Sequence, residues 1–126
     1  MTKLIVGIAS YDEMKSRSLA IAAGRHKPDR NEPKVWFTSV ESFARVLSRK
    51  NVELLRVISE HQPVGYQELA ALSGRKVPSL SRTLKTMERH GLVQLKQGPG
   101  RKIIPHVLFS DIELKYPVLS GPEGLV

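Results

Sequence analysis

Apolar and polar positions alternate in kind along this chain, and the alternation changes period several times. At the N-terminus the apolar "KLIVGIA" (residues 3–9) alternates and branches at Cβ, with Ile5, Val6 and Ile8, which predicts a strand. Ser10 followed three residues later by Glu13 is a capping box, so a helix is expected from there to about Ala23, stopped by Gly24. "RHKPDRNEPK" (25–34) has two prolines and no period and reads as a linker. "VWFT" (35–38) is a second short strand. A helix over 39–48 is capped by Thr38 or Ser39, and the next, 51–61, starts at an Asn51 cap and ends at Gln62-Pro63.

From there the helical period is clear. "YQELAALS" (66–73) ends at Gly74, and Ser73 to Gly91 forms the following helix. In that helix Leu80, Leu84 and Met87 recur as one narrow stripe at ~100° per residue, with Pro78, Arg82, Lys85 and Arg89 nearly opposite. Ser79, Ser81 and Thr86 fall on the shoulders. "LVQLK" (92–96), a Gly-Pro-Gly turn (98–100) and "RKIIPHVLF" (101–109) predict a β-hairpin with Pro105 on an outward-facing edge. A last strand is expected around Ile112–Lys115. The expected core is Leu54, Leu55, Ile58, Leu69, Leu72, Leu80, Leu84, Met87, Leu92 and Val93, with Val57 turned inward.

Charge sharpens this picture. The 126 residues carry a net charge of +8, yet Arg75 to Lys102 alone holds eight Lys/Arg and one acid, a net of +7. Basicity confined to one helix and one hairpin implies an acidic partner, nucleic acid before membrane. A solvated helix face would interleave glutamates with its lysines and arginines, and here only Glu88 does so. Small residues let such a helix approach a major groove. Arg82 and Lys85 can reach base edges or phosphates there, while Arg75 and Arg89, at the helix ends, are placed for phosphates. Pro78 fits the first turn, whose free N–H groups could also meet a phosphate. The hairpin turn is flanked by Lys96, Gln97, Arg101 and Lys102.

Other chemistries find little footing. The chain has no cysteine, which excludes disulfides and thiolate metal sites. His26, His61, His90 and His106 are dispersed without ligand spacing, and no phosphate loop, dinucleotide motif or nucleophile elbow is present. His90 reads as a helix C-terminal residue favouring the dipole. No enzyme activity, cofactor or metal is therefore expected, no run approaches a membrane span, and a cytoplasmic location is expected.

The order helix, helix, turn, helix, hairpin over 51–109 is that of a winged helix-turn-helix. The fold class expected is α+β, a winged helix-turn-helix with an N-terminal strand-helix extension. Its parts are an extension and linker (1–33), the DNA-binding domain (34–110) and a tail (111–126). "YQELAALSGRKVPSLSRTLKTMERHGLVQLK" resembles the core of MarR-like transcriptional regulators. "KVWFTSVESFARVLSRKNVELLRVI" resembles the upstream part of short prokaryotic DNA-binding proteins, some encoded beside a toxin-like partner. The resemblance implies Ser79, Ser81, Arg82, Thr83 and Lys85 on a recognition helix and Arg101 on a wing. Lys76-Val77-Pro78 departs from the small polar residues common at that point, and the long dimerisation helices of MarR-like proteins have no counterpart here. The candidate DNA-contacting residues are thus Arg75, Lys76, Pro78, Ser79, Ser81, Arg82, Thr83, Lys85, Thr86, Arg89, Lys96, Gln97, Arg101 and Lys102.

The function expected is a homodimeric regulator, an autorepressor that binds an inverted repeat in double-stranded DNA. The alternative is an antitoxin that neutralises a toxin protein and uses DNA binding for autoregulation. Residues 1–33 would complete the core or join two subunits or, in the alternative, serve as a partner-binding arm, and their linker favours a detachable element.

Overall fold

The branched run at the N-terminus becomes the middle of a sheet. In the computed structural model, which describes residues 2–119, the elements in chain order are β1 (Lys3–Ile8), α1 (Tyr11–Ala22), β2 (Val35–Phe37), α2 (Val40–Val46), α3 (Arg49–His61), α4 (Tyr66–Ser73), α5 (Val77–Arg89), β3 (Gln94–Gln97), β4 (Ile103–His106) and β5 (Asp111–Lys115). The fold is α+β. Its contacts divide it into two units, one made of the described residues up to Phe43 and from Phe109 onward, the other of Ala44–Leu108. Composition divides the chain instead at 33/34 and 110/111. The difference arises because β2 and β5 both pair with β1.

The first unit is a three-stranded sheet in the order β2-β1-β5, parallel throughout. Val6 lies between Val35 and Leu114, and Gly7 between Trp36 and Lys115. A central parallel strand is covered on both faces, so consecutive residues of β1 are buried and not every second one, as the alternation read from the sequence implied. Ile5, Val6, Ile8 and Ala9 are all buried, as are Val35 and Phe37. The N-terminal segment is therefore built into a sheet rather than detachable. Ser10 caps α1 as expected: its hydroxyl accepts from the Glu13 N–H and the Glu13 carboxylate accepts from the Ser10 N–H.

Gly7 is required for the packing of this sheet. A Cβ there would stand 2.5 Å from the Trp36 ring and 2.8 Å from Pro33. The ring is held from its other neighbours, with the Arg17 guanidinium 5.3 Å from its centroid. Arg17 in turn donates to Glu32, which also meets His26 Nε2 at 2.9 Å. This fastens the prolyl linker to α1, an arrangement that the lack of period in 25–34 did not reveal. The hydrogen bond from His26, and then that from Arg17, hold the Glu32 carboxyl below its ordinary value.

The second unit packs α3, α4 and α5 around Leu54, Leu55, Ile58, Leu69, Leu80, Leu84, Met87, Leu92 and Val93, all buried. Three local expectations change. Ser48, not Asn51, caps α3: its hydroxyl accepts from the Asn51 N–H, so the helix begins two residues earlier than expected. Leu72 is 41 % exposed, outside the core. Pro105 lies on a strand with a single neighbour, where a missing N–H is tolerated, but it faces inward and is buried opposite Leu95. Gln62, in the left-handed region, and Pro63, fully buried, turn the chain between α3 and α4.

Two outcomes follow for the first unit. Gly7→Ala must displace Trp36 or Pro33 and is expected to cost about 1–3 kcal/mol, read as a lowered midpoint in chemical denaturation. Glu32 has a depressed folded pKa, so its contribution is present above the ordinary carboxyl value of 4.5 and is lost as the pH falls through the lowered one. Glu32→Gln is expected to flatten the stability–pH curve in that acid window, and an unchanged curve would exclude the linkage.

Candidate nucleic-acid interface

The placement of α5 starts with a turn. Gly74 ends α4 in the left-handed conformation at φ 73°, and its N–H bonds Ala70 O. Lys76 is extended and caps α5 through its backbone, and Pro78 sits in the first turn. From there Leu80, Leu84 and Met87 are each completely buried. That burial fixes which way the other face points. Lys76, Pro78, Arg82, Lys85 and Arg89 are exposed, and Ser79, Ser81, Thr83 and Thr86 are half-buried along the flanks.

The cations on this face differ in what they touch. Lys76, Arg82 and Lys85 have no side-chain partner among the described residues. Arg89 donates to Thr86 Oγ1 one turn back (3.1 Å). Glu88, the one acid of the helix, is directed away from them, its carboxylate accepting from the Leu95 N–H at 3.4 Å. The face is therefore positive without local neutralisation. His90 caps α5, but burial and the neighbouring Arg89 charge hold its pKa below the ordinary value. It is a cap that resists carrying the charge a dipole-favouring residue would use.

Arg75 is placed differently from the others. It is half-buried and its guanidinium turns into the unit: Nη1 donates to Asn51 Oδ1 (3.1 Å) on α3 and Nη2 to Thr83 Oγ1 (3.0 Å) on α5. Asn51 is itself held, its Nδ2 donating to Val46 O at 2.9 Å. One side chain in the turn thus ties α3 to α5 and fixes α5 along its axis. Thr83 is the receiving end of that tie. Asn51 is the functional residue that sequence reasoning missed. Its signal was Ser48 three residues before it, which already satisfies the helix cap and frees the asparagine for another partner.

The hairpin brings the remaining candidates together at its tip. β3 and β4 pair antiparallel with Gln97 opposite Ile103. The tip is closed by Gly98 N–H to Lys102 O (2.7 Å), with Pro99–Arg101 as a single tight turn. A Cβ at Gly98 would meet the end of the Ile104 side chain, which would have to turn aside. Gly100 and Arg101 both adopt positive φ, 66° and 65°, a conformation uncommon for a non-glycine residue such as Arg101. Lys96, Gln97, Arg101 and Lys102 are all exposed, while the stem of Lys102 passes over Gly65, whose absent Cβ would lie 3.5 Å away.

Residues 46–114 match the family HVO_A0114, more than half of the chain. The chain belongs to the HVO_A0114 family. The match runs from the end of α2 through the helices and the hairpin into β5, so every candidate interface residue lies inside it, whereas β1, α1 and β2 precede it. Neither the curated proteins nor the solved structures contain a match to the chain. Among the described residues no helix is long and apolar enough to cross a membrane, and no cluster of His, Asp and Glu could hold a metal ion.

The tie through Arg75 has a measurable weight. Arg75→Ala removes two hydrogen bonds made by a charged donor and leaves Asn51 and Thr83 without theirs. It is expected to lower stability by about 1–3 kcal/mol in urea denaturation. Arg75→Lys keeps the charge but cannot bridge both partners, and is expected to recover less than half of the loss. Full recovery by lysine would show that charge, not the fork, matters.

Proposed function

We propose that this protein is a sequence-specific DNA-binding transcriptional regulator whose second unit is a winged helix-turn-helix, with α4 and α5 as its helix pair and the β3–β4 hairpin as its wing. The observation that carries the reading is the face of α5. Lys76, Arg82 and Lys85 are exposed and unpaired among the described residues, on a helix whose opposite side is completely buried. A helix held in that way can enter a major groove with its rotation already set. Arg82 reads a guanine edge through two N–H groups, Lys85 meets a base edge or phosphate, and Ser79 and Ser81 allow close approach. Lys96, Arg101 and Lys102 at the hairpin tip contact the neighbouring backbone. Arg75 serves as a positioning residue for α5 in this reading, its guanidinium already engaged.

The protein acts as a homodimer on an inverted repeat, its two recognition helices about one helical turn apart, as the cytoplasmic autorepressor of its own operon. The resemblance of α4, α5 and β3 to MarR-like regulators supports this. In the antitoxin alternative residues 1–33, whose β1 is the centre of the chain's own sheet, would also meet the partner protein.

Fluorescence anisotropy on the protein's own upstream DNA and on scrambled DNA, over a range of salt, tests it. Preference for the upstream fragment is expected to survive at physiological salt. Arg82→Ala is expected to weaken that specific binding by about 1–3 kcal/mol and to relax preference, whereas Lys96→Ala lowers the salt slope by ~1 on both DNAs. Equal binding to both fragments by parent and Arg82→Ala alike would defeat the reading of α5.

A further inference from the structure

A second cationic place lies away from the exposed face of α5. The first turns of α3 and the end of α4 border a half-open cavity of about 600 Å³. That is within the ~300–1,000 Å³ of small-molecule sites. Its apolar part is aliphatic: Leu54 and Val57 from α3, and Leu72, the residue the core left 41 % exposed. Its rim carries Arg49, Lys50 and Arg75. The one acid there, Glu53, is paired with Arg56 at 2.8 Å. Arg49 and Lys50 have no partner among the described residues.

Two donors in this lining are unused. Arg75 bonds through both terminal nitrogens, yet its Nε is buried with no hydrogen-bond partner. That N–H is occluded as the side chain stands, so an acceptor in the cavity would meet Arg75 through the hydrogens its terminal nitrogens leave unused. Ser73 accepts from the Arg75 N–H at 3.2 Å, which leaves its hydroxyl proton free to donate. Cations and spare donors above an aliphatic floor, with no aromatic side chain in the lining, fit one kind of occupant. A bare phosphate would use the rim and waste Leu54, Val57 and Leu72. A neutral hydrocarbon would do the reverse.

We propose that this cavity binds a small aliphatic carboxylate, its carboxylate received by Arg75, Lys50 and Ser73 and its alkyl chain laid over Leu54, Val57 and Leu72. Arg75 then belongs to two sites at once. The guanidinium that would meet the ligand also holds Asn51 and Thr83, so occupancy is transmitted to α5. Binding itself is independent of the DNA reading, and only its effect on DNA affinity rests on that reading.

Octanoate and 1-octanol are the probes, titrated into the full chain by calorimetry and by amide NMR. Octanoate is expected to bind saturably, one per chain, with 1-octanol roughly tenfold weaker or worse for want of a charge-assisted hydrogen bond. Lys50→Glu and Leu72→Gln change exposed positions, leave the melting curve in place and weaken octanoate by a similar factor. Amide shifts are expected at Ser73 and Arg75 and also at Thr83, which does not line the cavity. In Arg75→Lys the Thr83 shift disappears while shifts at Ser73 persist. Absence of saturable binding, equal affinity for the alcohol, or indifference to both Lys50→Glu and Leu72→Gln would overturn the site. A Thr83 amide unmoved at saturation in the parent would overturn the transmission.

Discussion

The complete burial of Leu80, Leu84 and Met87 is the constraint on which the second unit depends. Three side chains on one stripe cannot be satisfied by any other rotation of α5 about its axis. Turning the helix by a single residue step, ~100°, would expose the stripe and drive a cation or a hydroxyl into the space it left. Every property of the outer face is a consequence of this. Arg82 and Lys85 are exposed because of what lies behind them, and Glu88 reaches the Leu95 N–H because the same rotation places it beside β3. Hydrophobic burial is non-directional, but distributed along a helix it becomes an orienting device.

Rotation is one degree of freedom and sliding along the axis is another, which a smooth apolar seam controls less well. Arg75 supplies the second control. Its fork joins Asn51 on α3 to Thr83 on α5, and Asn51 is held in turn by Val46 O. The residue that fixes the register of α5 is thus a cation in the turn, indistinguishable in composition from the cations that remain free. Burial sets the angle of the helix and a directional polar contact sets its height. The two kinds of interaction divide the task by their geometry.

That division explains what was legible from residue order. Periodicity reports burial, so α4 and the buried stripe of α5 were readable, although α5 runs only from Val77 to Arg89 and not from Ser73 to Gly91; the capping box at Ser10 and Glu13 and the hairpin about Gly98–Gly100 were readable too. Direction of a polar side chain is not periodic. Arg75 looks the same whether it faces out or in, and its partner is 24 residues away. Ser48 and Asn51 are both good caps, and only the hydrogen bond between them decides which one acts. Leu72 belongs by type to the core, but α4 is short and turns that position away. The parallel pairing of β1 with β5 was hidden for a different reason. A strand beside a partner more than a hundred residues away carries no local trace of it. The exposed basic face was visible in the charge of 75–102; its internal tie was not.

The pairing of β1 with β5 also has a meaning in time. β1 is made before β5, with the whole second unit between them. At ~5–20 residues per second, synthesis leaves β1 waiting on the order of 5–20 s for its neighbour. During that interval β2 can protect one edge of the strand but the other stays open. Helices of the second unit need only local partners and can close first. The chain therefore has a built-in order of birth: the basic helix is synthesised, and has its local partners, while the sheet whose strands precede and follow it is still incomplete.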